Sequence, residues 1–149
     1  MNYFSYGSNM DVQRMEKRGI TFSKRRAARL SGYRLEFNKV SKDNALKGFA
    51  NIIADDNGLV EGALYDIDEA SLPTLEKYEG HPEHYLKIPV KVQLPSEGQE
   101  VCAIAFTASP DKIRSGLKPS KKYLTHLLAG KDVLSKGYFE WLERTETLD

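Results

Sequence analysis

At 149 residues, with 22 Lys+Arg against 21 Asp+Glu and a 40% hydrophobic fraction, the chain has the size of one domain, 1–149, with enough residues to bury a core. The formal charge of +1 provides no overall basic field for nucleic acid, and the one cysteine, Cys102, excludes an internal disulfide and a multi-cysteine zinc site. Residues 1–10 lack a charged segment leading into an apolar run, and no stretch approaches the roughly 18–20 apolar residues that span a bilayer, so the expectation is a soluble, cytoplasmic protein.

Asn2–Tyr6 reads as a short aromatic strand closed by the turn formers Gly7-Ser8-Asn9. Asp11 caps a helix over Val12–Arg18 that Gly19 ends. Strands follow at Arg29–Phe37 and Phe49–Ala54. Asp56-Asn57-Gly58 then predicts a hairpin turn into a strand over Leu59–Ile67, because Asn and Gly tolerate positive φ. Ser71 caps a helix over Leu72–Tyr78 with Pro73 in its first turn, and Gly80 closes it, leaving Glu79 at the C-terminal end. In Tyr85–Val92 the residues Leu86, Ile88, Val90 and Val92 fall at every second position, while Pro89 requires an edge or a bulge. Val101–Thr107 is the last strand, and its alternation predicts a buried Cys102. Ser120 caps Lys121–Ala129, with Leu124, Leu127 and Leu128 as its apolar face, and a final helix covers Ser135–Arg144 with Tyr138, Trp141 and Leu142 on one side. Six strands with helices between and after them predict an α+β fold, a small mixed six-stranded β-barrel flanked by helices.

Four strings bear on chemistry. The amides of Gly7, Ser8 and Asn9 form a candidate nest for a carboxylate or an oxyanion, although the string alone fits an ordinary strand-to-helix turn better. Glu79 stands at the negative end of a helix dipole, where burial would raise its pKa into a range useful for proton transfer; a solvated Glu beside a glycine cap is the simpler account. His81-Pro82-Glu83-His84 has the outline of a metal pair, but no further ligand completes a shell, and loop polarity explains it better. The basic run Lys24-Arg25-Arg26-Ala27-Ala28-Arg29 lacks interleaved aromatics and reads as a solvated loop and strand edge.

Taken together, the chain resembles the γ-glutamylcyclotransferase family, including its AIG2-like and γ-glutamylamine-specific branches. The resemblance covers nearly the whole chain: Tyr3 through Met10, Ala28-Arg29-Leu30, Tyr33 through Asn38, Gly48 through Ile52, Val60 through Tyr65, Leu75 through Gly80, Pro119-Ser120-Lys121-Lys122-Tyr123, Gly130 and Gly137-Tyr138. It implies a small mixed β-barrel and an enzyme that cleaves a small-molecule γ-glutamyl amide by cyclisation, releasing 5-oxoproline and a free amine or amino acid, with no metal or organic cofactor. It places the catalytic carboxylate on Glu79 and the substrate-binding segment on Tyr3, Phe4, Ser5, Tyr6, Gly7 and Ser8, with Asn9 adjoining. The family's later tyrosines map onto Tyr85 and Tyr123. Ser5 stands where a small apolar residue is common, and Gly130-Lys131 where Gly-Ala is common.

In such a reaction the substrate's own α-amino group is the nucleophile, and one carboxylate serves as base and then as acid. The leaving amine is left open, as is the choice between monomer and homodimer. A non-catalytic binding or regulatory protein that keeps the fold is the alternative, and the presence of both Glu79 and the Tyr6-Gly7-Ser8-Asn9 loop argues against it. No nucleic-acid or membrane partner is expected.

Overall fold

Long runs of β-formers interrupted only by short polar strings favour few, long strands. The computed structural model, which describes residues 1–149, has β1 (Asn2–Ser5), β2 (Phe22–Val40), β3 (Gly48–Ile67), β4 (Tyr85–Leu94) and β5 (Gln99–Ala108). They close into a barrel in the order β1-β3-β2-β4-β5. The β1–β5 seam is parallel, through Tyr3 and Ile104, and the other pairings are antiparallel, so the barrel is mixed as expected.

It has five strands rather than six. The segments expected as Phe49–Ala54 and Leu59–Ile67 are two parts of β3. Both pair antiparallel with β2, Tyr33 opposite Ala54 and Ser31 opposite Leu59 on either side of a register shift, so they are not hairpin partners of each other. Asp55 to Gly58 bulges out of β3 instead. The Asp55 carboxylate accepts from Asn57 N at 3.0 Å, and Gly32 takes φ 86° where the opposing strand bends. A Cβ on Gly58 would lie 2.2 Å from the Tyr33 carbonyl oxygen, so glycine is required there by close approach of backbone.

The strand period of two decides what faces inward. On β5 the side chains flanking Cys102 on the inner face are Ala103 and Ala105, which turns Cys102 outward. Cys102 is therefore exposed, contrary to expectation. On β4, Val90, Val92 and Leu94 are buried, Leu86 is exposed, and Pro89 faces outward. The basic run lies within β2, where Arg25 pairs with Asp132, Arg26 with Glu97 and Arg29 with Glu61.

Helices close the barrel's open sides. Asp11 caps α1 (Val12–Lys17) through Gln13 N, and Gly19 follows at φ 73°. α2 (Leu72–Glu79) ends at Gly80 in the left-handed conformation. Ser71 does not cap it through its side chain; its Oγ accepts from Thr21 N at 3.0 Å, tying the helix start to the entry of β2. Ser120 caps α3 (Lys121–Leu128), which buries Leu124 and Leu127. Ser135 caps α4 (Lys136–Glu143) and is itself held by buried Glu61 through Ser135 N at 2.7 Å and Ser135 Oγ at 2.8 Å. Leu142 is buried, while Trp141 is exposed and packs on Tyr138 from outside. No helix is long and apolar enough to cross a membrane.

Candidate active site

The end of β1 and the end of α2 meet over the barrel. Leu75 is fully buried, and Glu79 lies one helical turn beyond it on the same face, so the packing of α2 carries the carboxylate inward. At the base of a small cavity of about 30 Å³ stand Tyr3, Phe4, Ser5, Tyr6, Gly7, Ser8 and Asn9, with Glu79, Tyr85 and Tyr123. Every residue singled out in the sequence as catalytic or substrate-binding lines this one space. Ala50 and Phe106 complete it.

Glu79 is held through one oxygen only. Asn9 Nδ2 donates to Glu79 Oε1 at 3.2 Å and to the Tyr3 hydroxyl at 3.1 Å, and Tyr3 Oη approaches Oε1 at 3.5 Å. Arg18 Nη1 donates to Asn9 Oδ1 at 3.0 Å. A guanidinium has only donors, so it fixes which end of the Asn9 amide faces Glu79. Oε2 has no hydrogen-bond partner within the protein. Burial raises the Glu79 pKa above its ordinary value, and Arg18, the Tyr3 hydrogen bond, Arg14 and Lys39 pull it back down in that order.

β1 runs out at Ser5, and Ser8–Met10 forms a 3₁₀ turn in which Met10 N donates to the Gly7 carbonyl and Asp11 N to the Ser8 carbonyl. The N–H groups of Gly7, Ser8 and Asn9 donate to no backbone carbonyl. All three residues line the cavity, so their amides remain candidates for the nest. Gly7 has φ −118°, so left-handed backbone is not the reason for glycine here. A Cβ would sit 3.3 Å from Ala50 Cβ and 3.5 Å from Tyr123 Oη, so the need is space.

Ser120 caps α3 through Tyr123 N at 3.1 Å, which aims the Tyr123 ring at the cavity. Its hydroxyl accepts from Ala50 N at 3.0 Å, and Tyr85 Oη donates to the Ala50 carbonyl at 2.8 Å. The Tyr85 proton is thus used within the protein, while the Tyr123 proton is not. Burial pushes the Tyr123 pKa up to about 12, so the group remains a donor.

His81 and His84 do not converge. His81 Nε2 lies 3.7 Å from Glu76, and His84 Nδ1 lies 3.0 Å from Lys39 Nζ. Above the small cavity opens a larger one of about 400 Å³, with Arg14, Arg18, Lys39, Lys42 and Lys77 in its wall. None of these cations stands out in the sequence. Arg14 and Arg18 are four apart on and just after α1, a spacing that puts both on one face, and this was the available signal.

The fold and this site define a small barrel with a half-buried carboxylate, three amides free of backbone partners and several tyrosines around a single cavity. A model of the AIG2-like family matches residues 59–142, more than half of the chain, and the protein belongs to that family. No curated protein sequence matches it significantly. Among solved structures it is similar to a γ-glutamyl cyclotransferase, at TM-score 0.86 and 27% identity over 99% of this chain and 89% of that one. An uncharacterized protein from Homo sapiens gives the same values. YkqA from Bacillus subtilis is 29% identical at TM-score 0.85 over 97% of this chain, which spans only 53% of YkqA.

Proposed function

We propose that the protein is a γ-glutamylcyclotransferase that converts a small γ-glutamyl amide into 5-oxoproline and a free amine, without water as a reactant. The observation that carries this reading is the Glu79 carboxylate with Oε2 open, facing the same small cavity as the unpartnered Gly7, Ser8 and Asn9 amides. The named γ-glutamyl cyclotransferase of the same architecture supports it.

The γ-glutamyl group folds so that its α-nitrogen faces its own γ-carbon. Glu79 takes a proton from the α-ammonium, and the neutral amine attacks the γ-carbonyl. A C–N bond forms in the five-membered ring, and the carbonyl oxygen becomes an oxyanion. Holding the folded conformer recovers about 7–11 kcal/mol of barrier in a well-oriented intramolecular case. The intermediate collapses, the bond to the leaving nitrogen breaks, and Glu79 delivers the proton there. The ring nitrogen passes its second proton to the same carboxylate, which hands it to the departing amine to make it an ammonium, so Glu79 starts and ends ionised. The nest and the free Tyr123 O–H supply donors for the α-carboxylate and the oxyanion. Tyr3, Phe4, Ser5, Tyr6 and Tyr85 shape the pocket around the glutamyl chain.

Incubation with γ-glutamyl-alanine and ε-(γ-glutamyl)-lysine, followed by mass spectrometry, tests the reading. 5-Oxoproline with the free amine is the expected product. Binding of 5-oxoproline without turnover of any γ-glutamyl amide would instead favour a non-catalytic protein on this fold.

A further inference from the structure

The cavity above Glu79 has a strongly cationic wall. Arg14, Arg18, Lys39, Lys42 and Lys77 line it against only two carboxylates, Asp43 and Glu79. None of these five has a carboxylate within 4.0 Å, and they are gathered around one cavity, whereas the other unpaired cations, such as Lys17, Lys91 and Lys122, do not line it. Lys39 is the decisive member. It is only 4% exposed, a rare state for an unpaired ammonium. Its Nζ rests on His84 Nδ1 at 3.0 Å and over the Phe49 and Tyr85 rings at 5.6 and 5.7 Å, contacts that hold the charge but neutralise none of it. Arg14 adds a buried Nε with no hydrogen-bond partner.

Resting on the function proposed above, we infer that this outer cavity is the leaving-group subsite, and that it selects a leaving amine carrying two negative charges, as an acidic amino acid does. The geometry gives the division of labour. The glutamyl part is bound in the small inner cavity, whose amide nest already serves its α-carboxylate, so the outer cations remain for the part that departs. Burial lowers the Lys39 pKa, with Lys112 and Lys42 adding to the effect, and a dianion at this point relieves that repulsion. One carboxylate leaves most of these cations unmatched; two match the arrangement better.

The test compares γ-glutamyl-aspartate with γ-glutamyl-asparagine, which are nearly the same size and differ by one charge. The expected ratio of kcat/KM is roughly tenfold or more in favour of the aspartate conjugate, the size of one charge-assisted contact. It should fall with added salt and fall further toward unity in Lys39→Met. Lys77→Gln, at an exposed position, gives a second variant should Lys39→Met fold poorly, and a smaller fall in the ratio is expected. Free aspartate and free asparagine provide a readout independent of turnover, with thermal stabilisation by aspartate alone expected. Equal or better use of the asparagine conjugate, or equal stabilisation by the two free amino acids, overturns the inference even if γ-glutamyl-alanine is cyclised. Selective binding of aspartate with no γ-glutamyl amide converted would sustain the anionic subsite and sink the enzymatic reading instead.

Discussion

Tyr85 and Tyr123 hold the two sides of one residue: Tyr85 donates to the Ala50 carbonyl at 2.8 Å, and Tyr123 accepts from Ala50 N at 3.0 Å. The two hydroxyls therefore differ in what they have left to offer. Tyr85→Phe leaves a buried carbonyl without a donor and should cost about 1–3 kcal/mol of stability in chemical denaturation. Tyr123→Phe removes a tyrosine hydroxyl proton still free to reach the cavity, and kcat should fall on the order of a hundredfold if it meets the oxyanion. The reverse pattern, with Tyr85→Phe the more damaging to kcat, would contradict this assignment.

Glu79 should be a liability to stability. Burial raises its folded pKa above the unfolded value, so the protonated form is the one the fold favours. The stability this contributes is present below the unfolded value, about 4.3, and is lost as pH rises through the folded value. Glu79→Gln resembles the protonated form. The variant should melt at a higher temperature than the wild type at pH 7, and the difference should vanish near pH 4 and below. A variant less stable at pH 7 would argue that the carboxylate is a structural anchor.

Arg18 acts on Glu79 in two ways, by orienting Asn9 and by its charge, which is the foremost influence lowering the Glu79 pKa. Turnover requires ionised Glu79, so activity should rise with pH through its pKa. Arg18→Met should move that rise to higher pH, and Arg18→Lys, which keeps the charge, should move it less. An unshifted pH–rate profile in Arg18→Met, whatever its kcat, would remove Arg18 from this role.

Gly7 is needed for space rather than for an unusual backbone angle. Gly7→Ala places a methyl at 3.3 Å from Ala50 Cβ, which a small adjustment accommodates. Gly7→Val presses further toward Ala50 and the Tyr123 hydroxyl, so KM should rise much more than with alanine. Equal KM in the two variants would mean that the loop does not contact substrate through this face.

What could be read from the sequence followed from local rules. Glycine after Glu79 marks a helix end wherever the helix lies, and Ser120 before Tyr123 marks a cap, so both side chains were placeable on their elements. The register was not local. Asp56-Asn57-Gly58 has hairpin chemistry, but the strands on either side share β2 as neighbour, and only the closed barrel decides that. Adjacent Val101 and Cys102 are both apolar, so the alternation has two phases there, and inward-facing Ala103 and Ala105 select the one that exposes Cys102. Lys39 was invisible for a similar reason. It follows the register shift between Glu36 and Lys39, which sets the direction of its side chain. The basic run from Lys24 to Arg29 drew attention instead, and its arginines serve ion pairs across the barrel's outside.

The central claim is that the γ-amide is broken by the substrate's own nitrogen with Glu79 moving the protons. The most direct measurement is turnover of γ-glutamyl-alanine in water enriched in heavy oxygen, with wild type and Glu79→Gln side by side and products weighed by mass spectrometry. The account predicts unlabelled 5-oxoproline from the wild type and none from the variant. Glutamate carrying heavy oxygen in its γ-carboxyl would show hydrolysis by water, and undiminished 5-oxoproline from Glu79→Gln would show that another group is the base; either result contradicts the account.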